Sequence, residues 1–377
     1  MRSNVANADL LVRCASAGRE GGAHRVSAEV GGEPLWFESP DLGLCPAPEA
    51  FGCALLVAAI HDGRRLVFEE EVSAKWLANA VLLLDSFYAW WRYPKLAPRA
   101  APRADDGGGE GGQTALCFSG GVDSFYSLLR GGRQVDLLAG VHGYDIDLPD
   151  FVRASAFETS LRAVAAELGL RGVVVRTNLR EHRASANASW ERTHGGALAA
   201  VGHLLGGTVS RLLISSSQPY SKHKPWGTHW LTDPLWSSDR LEVVHVGEEL
   251  SRYEKLKAIA NEPLVRRHLR VCWENLAPKG NCSRCEKCLR TSLFLAEWGE
   301  LENFPTFEGP HTLAGRLDEL PAIRGRGSAF VRLLESRRLA PEVEVSVRKL
   351  LRRTKRSETL TSRFVKRMYA WVQKRLR

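Results

Sequence analysis

The sequence predicts an α/β protein, with a parallel sheet that carries helices on both faces and a small N-terminal α+β domain. From residue 114 onward, short apolar segments alternate with amphipathic ones, and polar loops follow the apolar segments. With 377 residues, 44% of them hydrophobic, the chain is long enough for two domains with separate cores. The predicted strands are TALCF, DLLAGVH, GVVVRT, RLLISSS and LEVVHV. The predicted helices between and after them span 122–129, 151–168, about 190–205 and 253–260.

The residues before 114 form the α+β domain and a linker. In HRVSAEVGGEPLWFES two alternating strands flank a Gly-Gly turn, and Ser73 caps a helix that runs to about Tyr88. We assign residues 1–92 to this domain and interpret it as a scaffold or specificity module. Residues 93–113 are rich in Pro and Ala and then in Gly, which predicts a flexible linker.

Positive charge is concentrated at the C-terminal end of the chain. The net charge is +9, yet residues 336–377 contain 14 Lys and Arg against 3 Asp and Glu. The body is therefore nearly neutral, which argues against nucleic-acid binding by the protein as a whole. We predict that residues 114–300 form the catalytic domain and that 301–377 form a helical region with a basic amphipathic tail.

The tail has an apolar stripe that needs a partner. The stripe comprises Leu360, Phe364, Met368, Trp371, Val372 and Leu376. It could pack on the protein body or lie on an acidic membrane surface, and the basic face could bind nucleic-acid phosphates. No apolar run reaches the roughly 18 residues of a membrane span, and the N-terminus lacks an apolar signal core. We expect a cytoplasmic protein that forms a homo-oligomer.

A glycine-rich turn joins the first predicted strand after the linker to its helix. The turn reads Ser119-Gly120-Gly121-Val122-Asp123-Ser124. Glycines let the backbone approach a ligand, and the backbone N–H groups of the turn and the helix N-terminus favour an anion. The two serines add hydroxyl donors, and a carboxylate beside phosphates is explained if Mg²⁺ bridges them. The turn therefore predicts a site for phosphate groups bridged by Mg²⁺.

Four of the eight cysteines lie close together in the sequence. Cys272, Cys282, Cys285 and Cys288 follow the pattern C-x9-C-x2-C-x2-C. Four thiolates suit a closed tetrahedral Zn²⁺ site that contributes folding energy and no chemistry. An iron–sulfur cluster is the alternative. The other four cysteines lie in or near apolar segments and are interpreted as inert thiols.

Together the two motifs resemble those of a known superfamily. The turn matches the SGGxDS motif of the PP-loop ATP pyrophosphatases, and the downstream cysteine pattern is similar to that of their 7-cyano-7-deazaguanine synthase branch. The resemblance covers residues 113–298. It implies cleavage of ATP between the α and β phosphates, adenylation of a substrate oxygen, and displacement of AMP by ammonia or sulfur. The branch itself converts a 7-deazaguanine acid through its adenylate to an amide and then a nitrile.

Other loops that follow predicted strands supply further candidates. Asp145, with Asp147 and Asp150, either contacts the nucleoside of ATP or forms an acidic turn. Asn178 and Arg180 either reach the adenylated substrate or form a structural turn.

The loop 215–238 is long, polar and rich in tryptophan, which favours it as the acceptor pocket. In that loop Lys222 or Lys224 could stabilise the α-phosphate, and Asp233 could orient an amine or a base. Arg252 and Lys255, at the start of a later helix, could contact the phosphates, as the resemblance also implies.

These features predict an AMP-forming ligase or amidotransferase that uses ATP, Mg²⁺ and Zn²⁺. Its partners would be a small-molecule acceptor with a carboxylate or carbonyl oxygen, and ammonia or a similar nitrogen nucleophile. The alternative is a PP-loop sulfur transferase that acts on tRNA or a small molecule.

Overall fold

The computed structural model describes residues 9–104, 111–222, 224–278, 280–323 and 327–357. It divides the chain into two compact units, with the boundary after Ile259. The first unit is α/β and contains the N-terminal strands together with the predicted parallel sheet. The second unit contains helices and the cysteine cluster.

The first unit is built on one large sheet. The strands of the first unit are β1 (Leu10–Glu20), β2 (Ala23–Val30), β3 (Glu33–Ser39), β4 (Leu66–Phe68), β5 (Val72–Ser73), β6 (Pro102–Arg103), β7 (Gln113–Cys117), β8 (Leu137–His142), β9 (Arg171–Thr177), β10 (Val209–Ser215) and β11 (Glu242–Val246). Its helices are α1 (Pro48–His61), α2 (Ala74–Trp91), α3 (Val122–Arg130), α4 (Phe151–Glu167), α5 (Trp190–Leu204) and α6 (Arg252–Ile259). Nine strands pair in the order β11-β10-β7-β8-β9-β3-β2-β1-β4, and β5 pairs with β6 separately.

Strands β7 to β11 run parallel, which confirms the prediction of a parallel sheet flanked by helices. β8 and β9 lie on one side of β7, and β10 and β11 lie on the other. The strand order therefore reverses between β7 and β10. In open α/β sheets the ligand crevice lies outside the carboxyl ends of the strands at such a reversal. A ligand site of this sheet is therefore expected at the loops after β7 and β10.

The N-terminal strands extend this same sheet. β3 pairs antiparallel with β9 through Phe37 opposite Thr177 and Glu38 opposite Arg176, and helix α1 packs against α5. This arrangement differs from the predicted organisation, in which residues 1–92 formed a domain of their own. The physical reason is that the edge of β9 gains backbone hydrogen bonds from β3, and the two halves share one apolar core.

Close packing of α1 on α5 depends on a glycine. A methyl group added at Gly196 would lie 2.2 Å from the carbonyl oxygen of Cys53 in α1. The added methyl group would force the backbone of α1 to move. We therefore expect Gly196→Ala to lower the free energy of unfolding by about 1–3 kcal/mol, as overpacking typically does. Urea denaturation measures this loss.

Gly18→Ala is the matched control, because a methyl group at Gly18 would meet nothing within 4 Å. Its effect should stay within about 0.5 kcal/mol, as at most surface positions. Equal stability of the two variants would contradict the packing argument.

Part of the predicted flexible linker is paired with the body. Arg99 exchanges backbone hydrogen bonds with Leu66 and Phe68 of β4, and β6 pairs with β5. Arg99 therefore bridges to the edge strand β4, residues 102–103 form a separate two-stranded sheet with β5, and this part of the segment is not free to move as a linker. The glycine-rich residues 105–110 lie outside the described part of the chain.

The second unit consists of short helices around the cysteines. They are α7 (Pro263–His268), α8 (Glu286–Glu297), α9 (Leu313–Glu319) and α10 (Ser328–Ser336), and residues 341–357 are also helical. The predicted amphipathic stripe 360–376 lies outside the described residues. Within the parts that are described, no helix combines the length and the apolar character needed to cross a membrane.

Candidate functional site

The loop between β7 and α3 has the backbone form that an anion site needs. Gly120 has a φ of +73°, and Gly121 is the N-cap residue of α3. Ser119 is exposed, whereas Ser124 is buried and its Oγ donates to the carbonyl of Gly121 at 3.1 Å. The first N–H groups of a helix have no acceptor within the helix, and its N-terminus carries a positive dipole. The loop thus presents Ser119 and a helix N-terminus at the strand-order reversal.

Two cations contact Asp123 of this loop. Arg252 donates to Asp123 Oδ2 from Nη2 at 2.5 Å and from Nε at 3.1 Å, and Lys255 Nζ lies 3.6 Å from Oδ1. The negative charge of Asp123 raises the pKa of Arg252, while burial lowers the pKa of Lys255. The fold therefore brings two predicted site residues of α6, Arg252 and Lys255, against a third, Asp123, that lies 129 residues before Arg252 in the chain.

Arg252 and Lys255 differ in what they can reach. The Lys255 side chain is fully buried, and its Nζ also donates to the carbonyl of Ser216, just after β10, at 2.6 Å. The Arg252 side chain keeps 27% of its surface exposed. Lys255 therefore ties the carboxyl end of β10 to Asp123, and Arg252 is the cation that solvent or a ligand can reach.

The loop after β10 holds its predicted site residues in two different environments. Lys222 ends a short 3₁₀ turn and is exposed; Lys224 is also exposed, with Nζ 4.5 Å from the centre of the Trp226 ring. His223 between them lies outside the described residues. Asp233, by contrast, has no exposed surface at all.

Asp233 is one half of a buried carboxylate–imidazole pair. Its Oδ1 accepts from the backbone N–H of His229 at 3.0 Å, and its Oδ2 lies 2.7 Å from Nδ1 of His245. Residue-by-residue reading of the sequence missed His245. The available signal was its position near the carboxyl end of a predicted strand, LEVVHV, where ligand sites of parallel sheets lie.

Two of the remaining candidates, Asn178 and Arg180, make hydrogen bonds to backbone groups of other segments. Asn178 accepts from the N–H of Trp36 at 2.9 Å and donates to the carbonyl of Pro34 at 3.0 Å, so it joins the loop after β9 to β3. Arg180 donates to the carbonyl of Tyr144 at 2.5 Å. Of the two interpretations of these residues, the structural one fits Asn178. Asp145 lies exposed after β8, and its Oδ1 accepts from Trp190 Nε1 at 3.3 Å.

The four clustered cysteines converge on one point in the second unit. Cys272, Cys282, Cys285 and Cys288 are all buried, and their sulfur atoms all lie within 4.8 Å of one another. The Cys272–Cys285 and Cys282–Cys288 sulfur pairs are 4.0 and 3.8 Å apart. Tetrahedral Zn²⁺ with bonds of about 2.3 Å requires sulfur atoms about 3.8 Å apart. The cluster could therefore hold a metal ion such as zinc.

Asn281 organises the loop that carries the first two cysteines. Its Oδ1 accepts from the N–H groups of Val271 and Cys272 at 2.7 and 3.1 Å, and its Nδ2 donates to Leu269 at 2.8 Å. The sequence pattern did not single out this residue, since only its position before Cys282 could have suggested it. The amide fixes the relative position of two cysteines that are ten residues apart.

Comparison of the chain with protein-family models, with curated proteins and with solved structures gives no match. A functional conclusion therefore rests on the residues and their geometry.

Proposed function

We propose that the protein is an ATP-dependent, AMP-forming ligase that binds Mg²⁺·ATP in the loop Ser119–Ser124. The observation that carries this proposal is the glycine-rich loop at the strand-order reversal, with Asp123 held between Arg252 and Lys255. A left-handed Gly120 and a helix N-terminus suit phosphate oxygens. The match of this loop to the PP-loop motif supports cleavage of ATP between the α and β phosphates.

Each residue of the loop region has a defined part in this proposal. Ser119 and the first N–H groups of α3 would bind phosphate oxygens, and Arg252 would neutralise charge on the departing pyrophosphate. When bound, Mg²⁺ would spread the phosphate charge, with Asp123 as its protein ligand. The fully buried ammonium group of Lys255 would hold the carboxylate of Asp123 in position. Lys222 and Lys224 would line the acceptor side, where their exposure suits an anionic small molecule.

The acceptor proposed is a small-molecule carboxylate, and the nucleophile is ammonia or another nitrogen compound. Adenylation makes the carboxylate oxygen a good leaving group, which ammonia can then displace. Sulfur transfer would need a reactive thiol. Burial raises the pKa of Cys117 to about 12 and also raises that of Cys53, and the four clustered thiols are packed against one another. The thiolate is the reactive form, which Cys117 and Cys53 do not supply, and the four clustered sulfur atoms are assigned to the metal; these six cysteines therefore favour nitrogen over sulfur.

The products of ATP turnover test the proposal. We expect the wild-type protein to convert ATP to AMP and pyrophosphate in equal amounts when it is given Mg²⁺, ammonium and 7-carboxy-7-deazaguanine as the first acceptor. Phosphorus NMR identifies these products directly. ADP and phosphate as products would overturn the proposal.

Asp123→Asn should reduce pyrophosphate release by at least 10²-fold, because the amide cannot neutralise a divalent cation. Circular dichroism and urea denaturation check that the variant is folded. Lys75→Gln is the control, because Lys75 is exposed near the start of α2. If folded Asp123→Asn released pyrophosphate at the wild-type rate, the metal-binding role proposed for Asp123 would be contradicted.

A further inference from the structure

We infer that His245, held by Asp233, is the residue that takes the proton from the nitrogen nucleophile. This inference rests on the proposed function and adds a catalytic residue to it. Asp233 then acts as a positioning residue and does not contact the nucleophile itself.

The register of the strands places His245 near the carboxyl ends of the parallel strands, where the loop after β7 begins. Leu213 of β10 pairs with Leu116 of β7, and the next residue, Ile214, pairs with His245 of β11. Cys117, Ile214 and His245 therefore form one row across three adjacent strands and point to the same face. Cys117 is the last residue of β7, directly before the loop that the proposed function assigns to ATP.

The 3₁₀ helix Asp233–Trp236 packs against β11, the strand that carries His245. The carboxylate of Asp233 lies close enough to β7 to contribute, after burial, to the raised pKa of Cys117. The same charge acts on His194 of α5, whose Nε2 lies 3.3 Å from the hydroxyl of Thr228 in the loop 215–238. Asp233 contacts His245 directly, and its charge also acts on Cys117 in the sheet and on His194 in α5.

The chemistry of the pair determines which nitrogen of His245 is available. An ionised carboxylate only accepts hydrogen bonds, so Nδ1 of His245 carries the proton that it donates to Asp233. In the neutral ring, Nε2 then has a lone pair. His245 is 8% exposed, and within the described part of the chain its Nε2 is buried and has no hydrogen-bond partner. Leaving such an atom unpaired costs about 1–3 kcal/mol, and the inference assigns the nitrogen nucleophile as its partner.

The step that His245 serves can be written in full. The nitrogen of ammonia attacks the carbonyl carbon of the acyl adenylate, and a C–N bond forms. The C–O bond to AMP breaks, and AMP leaves with the electron pair. The proton lost by the nitrogen goes to Nε2, while Asp233 stabilises the resulting imidazolium.

His245→Asn separates this role from a structural one. The asparagine amide can occupy the position of Nδ1 and keep the hydrogen bond to Asp233, but it has no atom in place of Nε2. With 7-carboxy-7-deazaguanine and ammonium chloride, we expect amide formation to fall on the order of 10²–10⁴-fold. The affinity for ATP should stay unchanged. Amide formation at the wild-type rate would overturn the inference.

Nitrogen NMR of histidine-labelled protein tests the inference whether or not this acid is the acceptor. We expect Nδ1 of His245 to be protonated and Nε2 to carry a lone pair, and His245→Asn assigns the signals. The Nε2 signal should shift when Mg²⁺ with α,β-methylene-ATP and ammonium chloride is added.

A protonated Nε2, or a signal that stays unchanged while calorimetry shows the nucleotide bound, would overturn the role of His245. Failure of the nucleotide to bind would instead overturn the proposed function. The two failures are therefore distinguished in one titration.

Discussion

Cys288→Ser is expected to abolish metal retention and to unfold the unit that follows Ile259. Cys288 lies in α8 with no exposed surface, and the four sulfur atoms of its cluster lie within 4.8 Å of one another. Structural Zn²⁺ contributes about 10–16 kcal/mol in small zinc-binding peptides. That is as large as the whole stability of a typical domain, about 5–15 kcal/mol. Elemental analysis and thermal unfolding followed by circular dichroism measure both effects.

The wild-type protein should contain one zinc per chain and no visible colour. Cys45→Ser is the matched control, because Cys45 is half-buried and lies outside the cluster. It should retain the zinc and the thermal transition. Iron in the wild-type protein, with a broad band near ~400 nm, would identify an iron–sulfur cluster and favour the sulfur-transfer alternative. Full folding of metal-free Cys288→Ser would show that the metal does not stabilise this unit.

Arg103→Met is expected to lower the free energy of unfolding by about 3–5 kcal/mol, as for other buried ion pairs that lose one partner. Arg103 Nη2 lies 2.8 Å from Glu49 and 3.5 Å from Asp239, and each carboxylate side chain is only 2% exposed. Glu49 also accepts from the N–H of Ser73 at 2.6 Å. Removing the cation leaves two buried carboxylates without their shared partner, although Arg240 Nε still lies 3.9 Å from Asp239. Urea denaturation measures the loss.

Arg99→Met is the control for this change in the same segment. The Arg99 side chain is 64% exposed and lies 3.9 Å from Asp9, so its loss should cost no more than about 1 kcal/mol. Arg103→Met should also make residues 93–113 more sensitive to protease, because β6 would lose its anchor. Equal stability of the two variants would contradict the assignment of Arg103 as that anchor.

The strands and the two motifs could be predicted because each depends on residues close in sequence. Apolar segments of five to seven residues marked β7 to β11, and two glycines before an amphipathic segment marked the start of α3. Ser73 was predicted as a helix cap, and its Oγ accepts from the N–H of Trp76 at 3.2 Å. The spacing of the cysteines likewise predicted their convergence. Local backbone preference and side-chain periodicity are sufficient for such features.

Features that depend on distant residues could not be predicted in this way. β3 alternates as any half-buried strand does, and nothing in its composition specifies β9 as its partner. Arg103 lies in a segment whose composition indicates a linker, and its two carboxylates are 54 and 136 residues away. The pairing of His245 with Asp233, which is 12 residues earlier in the chain, forms only in the folded protein. A single polar residue in an apolar strand carries no information about what it will contact.

By itself, the sequence determined the parallel sheet, the glycine-rich turn between β7 and α3 and the four cysteines that converge on one point. These follow from the chemistry of neighbouring residues: glycine permits a positive φ, apolar periodicity selects strand or helix, and closely spaced thiols can meet at one point. Only the tertiary structure decided that the N-terminal strands extend the sheet, that Lys255 is buried beneath Asp123, and that Asp233 holds His245. The reason is that long-range pairing is selected by shared burial and charge neutralisation, which no short stretch of sequence contains.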